Sequence, residues 1–189
     1  GNSTSYHHNL FAHHTSRSPK VTGRRHCNID FRNNVIYNWG FNSCYDGTSS
    51  YLNWANNYYK YGPGTDAGVR SRIFRLSDQD IAPGGSNIPQ DSIDYETSLY
   101  AEGNFVKGDS TVTADNWNGG IDFTNGATEG NNRAAVPFAF PPITEQTPQD
   151  AYNLVLALAG ASLARDSIDA RIVDEVTNRT ATYGNDGHI

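Results

Sequence analysis

The sequence predicts an all-β fold in the form of a parallel β-helix, a solenoid with about 23–25 residues per coil and a short C-terminal helical segment packed on it. Three observations predict this fold. The apolar segments in the first half of the chain are only four to six residues long, which suits strands better than helices. Gly, Asn, Asp and Pro, the residues that favour turns, separate these segments. A short motif containing asparagine also returns at regular intervals.

The recurring motif is an asparagine followed by two apolar residues. It stands at four positions: Asn9, Asn34, Asn57 and Asn104. The spacings are 25, 23 and 47 residues, and we interpret the last as about two periods, with residues 72–76 as the missing rung. A period in the twenties with one short strand per unit is typical of a solenoid. One asparagine per coil predicts a ladder in which each side-chain amide bonds the next.

We predict a single domain over residues 1–189, with the β-helix coils in residues 1–108. A segment at about 78–98 contains a Pro-Gly-Gly sequence and a further proline, so we expect a loop that leaves the stack. Residues 109–146 lack clear periodicity and carry several prolines, so we expect long loops packed against the solenoid.

Residues 147–189 have the pattern of helices followed by a tail. Thr147 is a candidate N-cap with Pro148 at the first helical position. Asp166 is a candidate N-cap for a second helix, whose apolar residues follow at helical spacing. We expect these helices to cover the solenoid rather than to carry chemistry.

Composition excludes several classes of function. The chain has 14 Lys and Arg against 20 Asp and Glu, a net charge of −6, so a broad basic surface for nucleic acid is not expected. No run of 18 apolar residues exists, so no membrane span is expected. The two cysteines, Cys27 and Cys44, form either one disulfide or two buried thiols, and the sequence leaves both readings open.

Positive charge is concentrated in one short stretch of this acidic chain. Four of the 14 basic residues lie within nine positions: Arg17, Lys20, Arg24 and Arg25. Such a concentration predicts a local site for anions. The neighbouring histidines at positions 7, 8, 13 and 14 suggest a metal site, but adjacent residues on a strand point to opposite faces. A zinc hydrolase is therefore kept only as a third hypothesis.

Several segments together resemble the pectate lyases of polysaccharide lyase family 1. A His-His-Asn strand at residues 7–9 leads to an Arg-x-Pro turn at residues 17–19, and the segments 30–40, 53–63 and 165–171 are also similar to that family. The resemblance implies a right-handed parallel β-helix. It also implies cleavage of polygalacturonate or pectin by β-elimination with Ca²⁺, in a secreted, extracellular or periplasmic protein.

The resemblance also implies roles for particular residues. Arg17 stands where the family places its catalytic base. The expected substrate-binding residues are Lys20, Arg24, Arg25, His14 and Tyr45. The family often carries a second arginine five residues after the base, where this chain has Thr22. An arginine base needs neighbouring cations and exclusion of water to favour its neutral form.

The family's calcium ligands lie upstream of the His-His-Asn strand, so the metal ligands of this chain are unknown. We interpret the chain as the C-terminal part of such an enzyme, with a separate N-terminal fragment as a possible partner, and expect it to be inactive alone. The second hypothesis is a non-catalytic carbohydrate-binding β-helix, in which aromatic residues of the coils would stack on sugars. Five residues are candidates for that role, although we expect them to be core and ladder residues instead: Tyr51, Trp54, Tyr58, Tyr59 and Tyr61.

Overall fold

The structure, a computed structural model, describes residues 3–22, 27–78, 97–184 and 186–187. In these ranges the chain forms twelve strands: β1 (Ser3–His7), β2 (Leu10–Ala12), β3 (Lys20–Val21), β4 (Cys27–Arg32), β5 (Val35–Tyr37), β6 (Cys44–Asp46), β7 (Ser50–Ala55), β8 (Tyr58–Lys60), β9 (Phe74–Ser77), β10 (Ser98–Glu102), β11 (Phe105–Val106) and β12 (Ile121–Thr124). It also forms four α-helices: α1 (Ser110–Ala114), α2 (Glu129–Asn132), α3 (Pro148–Leu158) and α4 (Ser167–Asn178). None of the helices in the described ranges has the length and apolar character needed to span a membrane.

The strands stack into three parallel sheets, which confirms the parallel β-helix. The first sheet has the order β1-β4-β7-β10, the second β2-β5-β8-β11 and the third β3-β6-β9-β12. Each coil therefore contributes one strand to each sheet, and we number the coils 1 to 4 by their strands β1–β3, β4–β6, β7–β9 and β10–β12. Neighbouring strands in such sheets lie about 4.8 Å apart, which sets the rise from coil to coil.

The asparagine ladder is present and runs in one direction. The backbone N–H and the side-chain amide of Asn9 both donate to Oδ1 of Asn34 at 3.0 Å. Asn34 bonds Asn57 in the same way, at 2.9 and 3.1 Å, and Asn57 bonds Asn104, at 3.0 and 2.8 Å. Asn116 ends the ladder by accepting both donors of Asn104 at 2.9 Å. The amides thus satisfy backbone groups that would otherwise be buried without partners.

The interpretation of the 47-residue spacing as two periods is wrong. Asn57 and Asn104 are direct neighbours in the ladder, so coils 3 and 4 are adjacent. The segment proposed as the missing rung contains β9, which belongs to the third sheet of coil 3. Coil 3 is long because additional chain lies between β9 and β10. The spacing of residues in one sheet does not distinguish such an insertion from an additional coil. The loop expected at about 78–98 falls largely on residues 79–96, which lie outside the described residues.

The assignment of residues 109–146 to long loops also needs correction. This region contains α1, β12 and α2, and β12 pairs with β9 to complete coil 4. The β-helix therefore extends through Thr124 rather than ending near residue 108. Ile121 is buried and Asp122 is exposed, an alternation that suits a strand but is too short to stand out in the sequence.

The chain after α2 crosses the outer face of the first sheet. Asn53 of β7 exchanges two hydrogen bonds with the backbone of Phe138, both at 2.9 Å. Asn33 does the same with the backbone of Gln146, at 2.8 and 3.1 Å. Side-chain amides therefore hold this segment in place much as a neighbouring strand would.

The C-terminal helices are confirmed, with the expected caps. The hydroxyl of Thr147 accepts the N–H of Asp150 at 3.2 Å, and Asp166 accepts two backbone N–H groups at the start of α4, both at 2.9 Å. The helices pack on the outer face of the second sheet, where the rings of Tyr58 and Tyr152 lie 4.4 Å apart.

The interior of the solenoid is filled by stacked aromatic and aliphatic side chains. The rings of Phe31 and Trp54, in successive coils, stack at 4.2 Å with an interplanar angle of 11°. Both cysteines are free thiols rather than a disulfide. Cys44 lies in the core, and burial raises the pKa of its thiol, so it is an inert core residue.

Candidate functional site

Arg17 lies in the turn that connects β2 with β3 in coil 1. Its backbone has φ +67°, in the left-handed region, which costs a residue with a side chain about 1–2 kcal/mol. The next residue, Ser18, is buried, and its N–H donates to the carbonyl of Ser43 in coil 2 at 2.9 Å. The turn is therefore seated on the coil below, while Arg17 itself is exposed to solvent.

An open cleft of about 770 Å³ lies beside this turn. The loop after β2, helix α4 and the C-terminal tail enclose it, and its lining includes Arg17, His14, Phe41, Ile168, Arg171 and Tyr183. Three of its apolar side chains are more than half exposed: Phe41, Ile168 and Tyr183. In the described part of the chain, no carboxylate forms an ion pair with the Arg17 guanidinium. Arg17 thus presents its charge at the rim of a cleft large enough for a ligand.

Lys20 and Tyr45 lie side by side in the third sheet. They are register partners in β3 and β6, and Nζ of Lys20 lies 5.9 Å from the centre of the Tyr45 ring. Nζ of Lys20 is also 3.3 Å from a carboxylate oxygen of Asp46. Thr22, which stands where the family often has arginine, donates its hydroxyl to the same carboxylate at 2.7 Å. Asp46 therefore organises this end of the third sheet, a role that the sequence analysis did not assign.

The structure brings some of the expected site residues together. His14 lines the cleft with Arg17, and its Nδ1 lies 3.4 Å from the hydroxyl of Ser18. Lys20 follows Arg17 by three residues and stands on the sheet with Tyr45. Arg24 and Arg25 lie outside the described residues, so their expected roles remain predictions.

The histidines do not form a metal centre in the described part of the chain, where no group of three or more His, Cys, Asp or Glu has suitable geometry. His7 and His8 nevertheless meet, with their Nδ1 atoms 3.0 Å apart. They meet because His8 is in the left-handed region, with φ +57°, so it leaves the strand and the alternation of faces no longer applies. The zinc hydrolase hypothesis has no support in this geometry.

A buried carboxylate behind the cleft was missed from the sequence. Glu175 of α4 is 1% exposed and accepts two hydrogen bonds from Arg171, both at 2.9 Å. Nε2 of His13 lies 2.8 Å from its carboxylate, which ties α4 to the loop that carries Arg17. Burial alone would raise the pKa of Glu175, but hydrogen bonds from Thr182 and Arg171 outweigh it and lower the pKa. The four-residue spacing of Arg171 and Glu175 was the only signal in the sequence.

The residues described around Arg17 do not form a calcium site. Calcium needs six to eight oxygen ligands, usually with several carboxylates. Here one carboxylate, that of Asp46, is already engaged by Lys20 at 3.3 Å and by the hydroxyls of Thr22 and Thr48, both at 2.7 Å. A lysine ammonium at that distance opposes cation binding at the same oxygen.

The aromatic residues considered for sugar stacking are mostly internal. Trp54 and Tyr59 are fully buried and Tyr58 is 8% exposed. Tyr51 contacts Phe138, at 5.1 Å between ring centres. These rings support the fold, and they give no stacking platform for a carbohydrate.

Comparison with known proteins finds similar sequences among probable pectate lyases. The chain is 31% identical over 187 residues to a probable pectate lyase C of Aspergillus flavus, an alignment that covers 96% of this chain and 37% of that protein. The identity and coverage are the same for a probable pectate lyase C of Aspergillus oryzae, and a third, from Emericella nidulans, is 28% identical over 182 residues. The chain is a relative of the pectate lyases.

This pectate lyase relative spans 36–37% of the length of the curated proteins that it matches. No family model matches the chain. The relationship therefore extends over almost all of this chain and over the part of the β-helix that carries Arg17, Lys20 and Tyr45.

Proposed function

We propose that this chain is part of a secreted pectate lyase, in which Arg17 is the general base for β-elimination in an acidic pectic polysaccharide. One observation carries the proposal. In a chain related to pectate lyases over 96% of its length, Arg17 stands in a strained turn at the rim of an open cleft, without an ion-pair partner in the described residues. Strain that persists at an exposed polar residue points to function, since stability alone would favour glycine there.

The reaction follows from the chemistry of a uronate. A base removes the proton at C5, the electron pair of the C–H bond forms a double bond between C4 and C5, and the glycosidic bond at C4 breaks. The released sugar oxygen takes up a proton, so that charge and atoms balance. In this proposal the neutral form of Arg17 accepts the C5 proton, and Lys20, three residues further along the chain, attracts the substrate carboxylate.

We propose a requirement for calcium only for the longer protein of which this chain is part. The described residues do not form its site, so no step is assigned to it here. All five residues of β1 are exposed, Tyr6 to 43%, so the described residues leave this strand uncovered.

The test is formation of unsaturated product from polygalacturonate, followed by ultraviolet absorbance. We expect product from the longer protein that carries this chain, loss of product with a chelator, and recovery when Ca²⁺ is restored. This chain alone should form none. Equal turnover of a fully methyl-esterified polymer, or turnover that a chelator does not affect, would contradict the proposal.

A further inference from the structure

Two arginine side chains contact Tyr61, in the turn that follows β8, and two lysines lie close enough to interact with this positive charge. The guanidinium carbons of Arg70 and Arg179 lie 4.8 and 4.9 Å from the centre of the Tyr61 ring. Arg179 also donates a hydrogen bond to the Tyr61 hydroxyl at 3.1 Å. Lys60 precedes Tyr61, and Lys107 lies in the next coil, where its N–H donates to the carbonyl of Tyr59 at 2.9 Å. We call these residues, Lys60, Tyr61, Arg70, Lys107 and Arg179, the Tyr61 cluster.

The charge of this cluster is not neutralised in the described part of the chain. Most other cations there have a carboxylate within 4 Å: Lys20, Arg32, Arg72, Arg75, Arg133 and Arg171. None of the four cations of the cluster has such a partner in those residues, although the chain as a whole carries a net charge of −6. Burial lowers the pKa of Lys60, and the nearby charges of Lys107 and Arg179 lower it further.

Structural roles explain only part of the cluster. Lys60 is 8% exposed and bonds the hydroxyl of Tyr152 at 3.1 Å and the carbonyl of Thr177 at 3.0 Å, so it anchors the helices. Arg179 caps the C-terminus of α4, where a cation is favourable. Arg70 is the C-cap of the short 3-10 helix Ala67–Val69, whereas Lys107 lies at no helix C-terminus. Both side chains are exposed and add like charge to the cluster. The distances of the Arg70 and Arg179 guanidinium carbons from the same ring centre put them at most about 10 Å apart, which is close to the Debye length at 0.1 M salt, so their repulsion is only partly screened.

We propose that the Tyr61 cluster is a second, non-catalytic binding site for the carboxylate groups of an acidic polysaccharide. The choice of polymer rests on the proposed function. Guanidinium groups form bidentate hydrogen bonds with carboxylates. Stacking on Tyr61 restricts the motion of Arg70 and Arg179 and so favours such binding.

The position of the Tyr61 cluster would let it hold the same polymer close to Arg17. Tyr61 and Arg17 both lie in turns between the second and third sheets, in coils 3 and 1. Two coil spacings amount to about 10 Å along the stack. A chain of uronates held at the Tyr61 cluster is therefore kept near Arg17, which raises its local concentration there.

The experiment measures binding of polygalacturonate to the whole chain by isothermal titration calorimetry, in a chelator so that no turnover occurs. We expect R70Q to weaken binding about threefold and the double variant R70Q/R179Q about tenfold, with a smaller dependence on salt. R133Q is the matched control, because Arg133 is an exposed arginine 5.0 Å from the Trp117 ring centre, with Glu129 as its partner. It should change binding less than twofold, and all three variants should keep the wild-type melting temperature within a few degrees.

Unchanged binding by R70Q/R179Q, or equal losses in R70Q and R133Q, would overturn the inference. Equal affinity for fully methyl-esterified pectin would also overturn it, because the carboxylates would then not be the ligand. Equal affinity for dextran sulfate would show a general polyanion surface and would overturn the assignment to uronates. The turnover assay is separate, so if binding is unchanged while Arg17 variants lose activity, only this inference fails.

Discussion

At the residue scale, Arg17 has a backbone conformation that does not favour stability. A left-handed backbone is readily adopted by glycine and by few other residues, yet this position holds an arginine whose charge is exposed. The arginine and the following proline were recognisable from the sequence. The left-handed backbone and the hydrogen bond from Ser18 to coil 2 were not recognisable, because both depend on the neighbouring coil.

The first prediction is that Arg17→Gly raises the free energy of unfolding of this chain by up to about 1 kcal/mol, while the same change in the longer protein abolishes turnover. Glycine relieves the left-handed strain, and the entropy of the unfolded glycine offsets part of the gain. Denaturant unfolding of the whole chain measures the change. Arg17→Ala keeps a Cβ atom and should give no gain, and a loss of stability in Arg17→Gly would show that the turn is not strained.

At the element scale, the asparagine ladder joins the coils, and helix α4 contacts the loop that carries Arg17. The ladder was predictable because one asparagine returns in every coil and the pattern is local. Its end at Asn116 was not, since this residue follows Asn104 by only 12 positions and breaks the period. The link between Glu175 and His13 was hidden for a similar reason, because the two residues are far apart in the sequence.

The second prediction concerns the buried rung at Asn57. Asn57→Ala removes the side-chain bonds to the carbonyl of Phe31 and to Asn104, and leaves the two donors of Asn34 without their acceptor. We expect a loss of about 3–5 kcal/mol in the free energy of unfolding. Asn9→Ala, at the exposed end of the ladder, should cost less than about 1 kcal/mol. Similar losses for both variants would contradict the ladder as a source of stability.

The third prediction is that Glu175 makes the free energy of unfolding depend on pH in the acidic range. Its pKa is lowered in the folded state, so its ionised form stabilises the fold above the ordinary pKa of 4.5. This contribution is lost as the pH falls through the lower, folded value. The groups facing the carboxylate are Arg171, Thr182 and His13. The stability difference between wild type and Glu175→Gln should therefore shrink as the pH is lowered from 6 to 3, and a constant difference would contradict it.

At the scale of the whole molecule, the repeat predicted the architecture but not its dimensions. Asparagines 25 and 23 residues apart identify coils 1 and 2, because those coils are short and alike, and they mark where coil 3 begins. The long third coil was misinterpreted, because an insertion between strands lengthens the spacing just as an additional coil would. The strand β12 was missed because it is too short to stand out in the sequence. Among the expected site residues, His14 lines the cleft with Arg17, and Lys20 pairs with Tyr45, because these residues are close in sequence or in register. Their roles stay predictions.

Charge is also unevenly distributed over the molecule. The net charge of −6 would repel an acidic polymer. Arg17 and the cations of the Tyr61 cluster, however, have no ion-pair partner among the described residues, and they lie in turns between the second and third sheets. Overall charge therefore says little about the ligand, and the local arrangement of paired and unpaired cations says more.

The most direct test of the account is the rate of unsaturated product formation by the Arg17→Lys variant of the longer active protein. Lysine keeps the positive charge but moves the basic atom, so substrate binding should change less than about threefold while turnover falls by a factor of about 10² to 10⁴. An Arg17→Lys protein that retains the full rate would show that Arg17 is not the base.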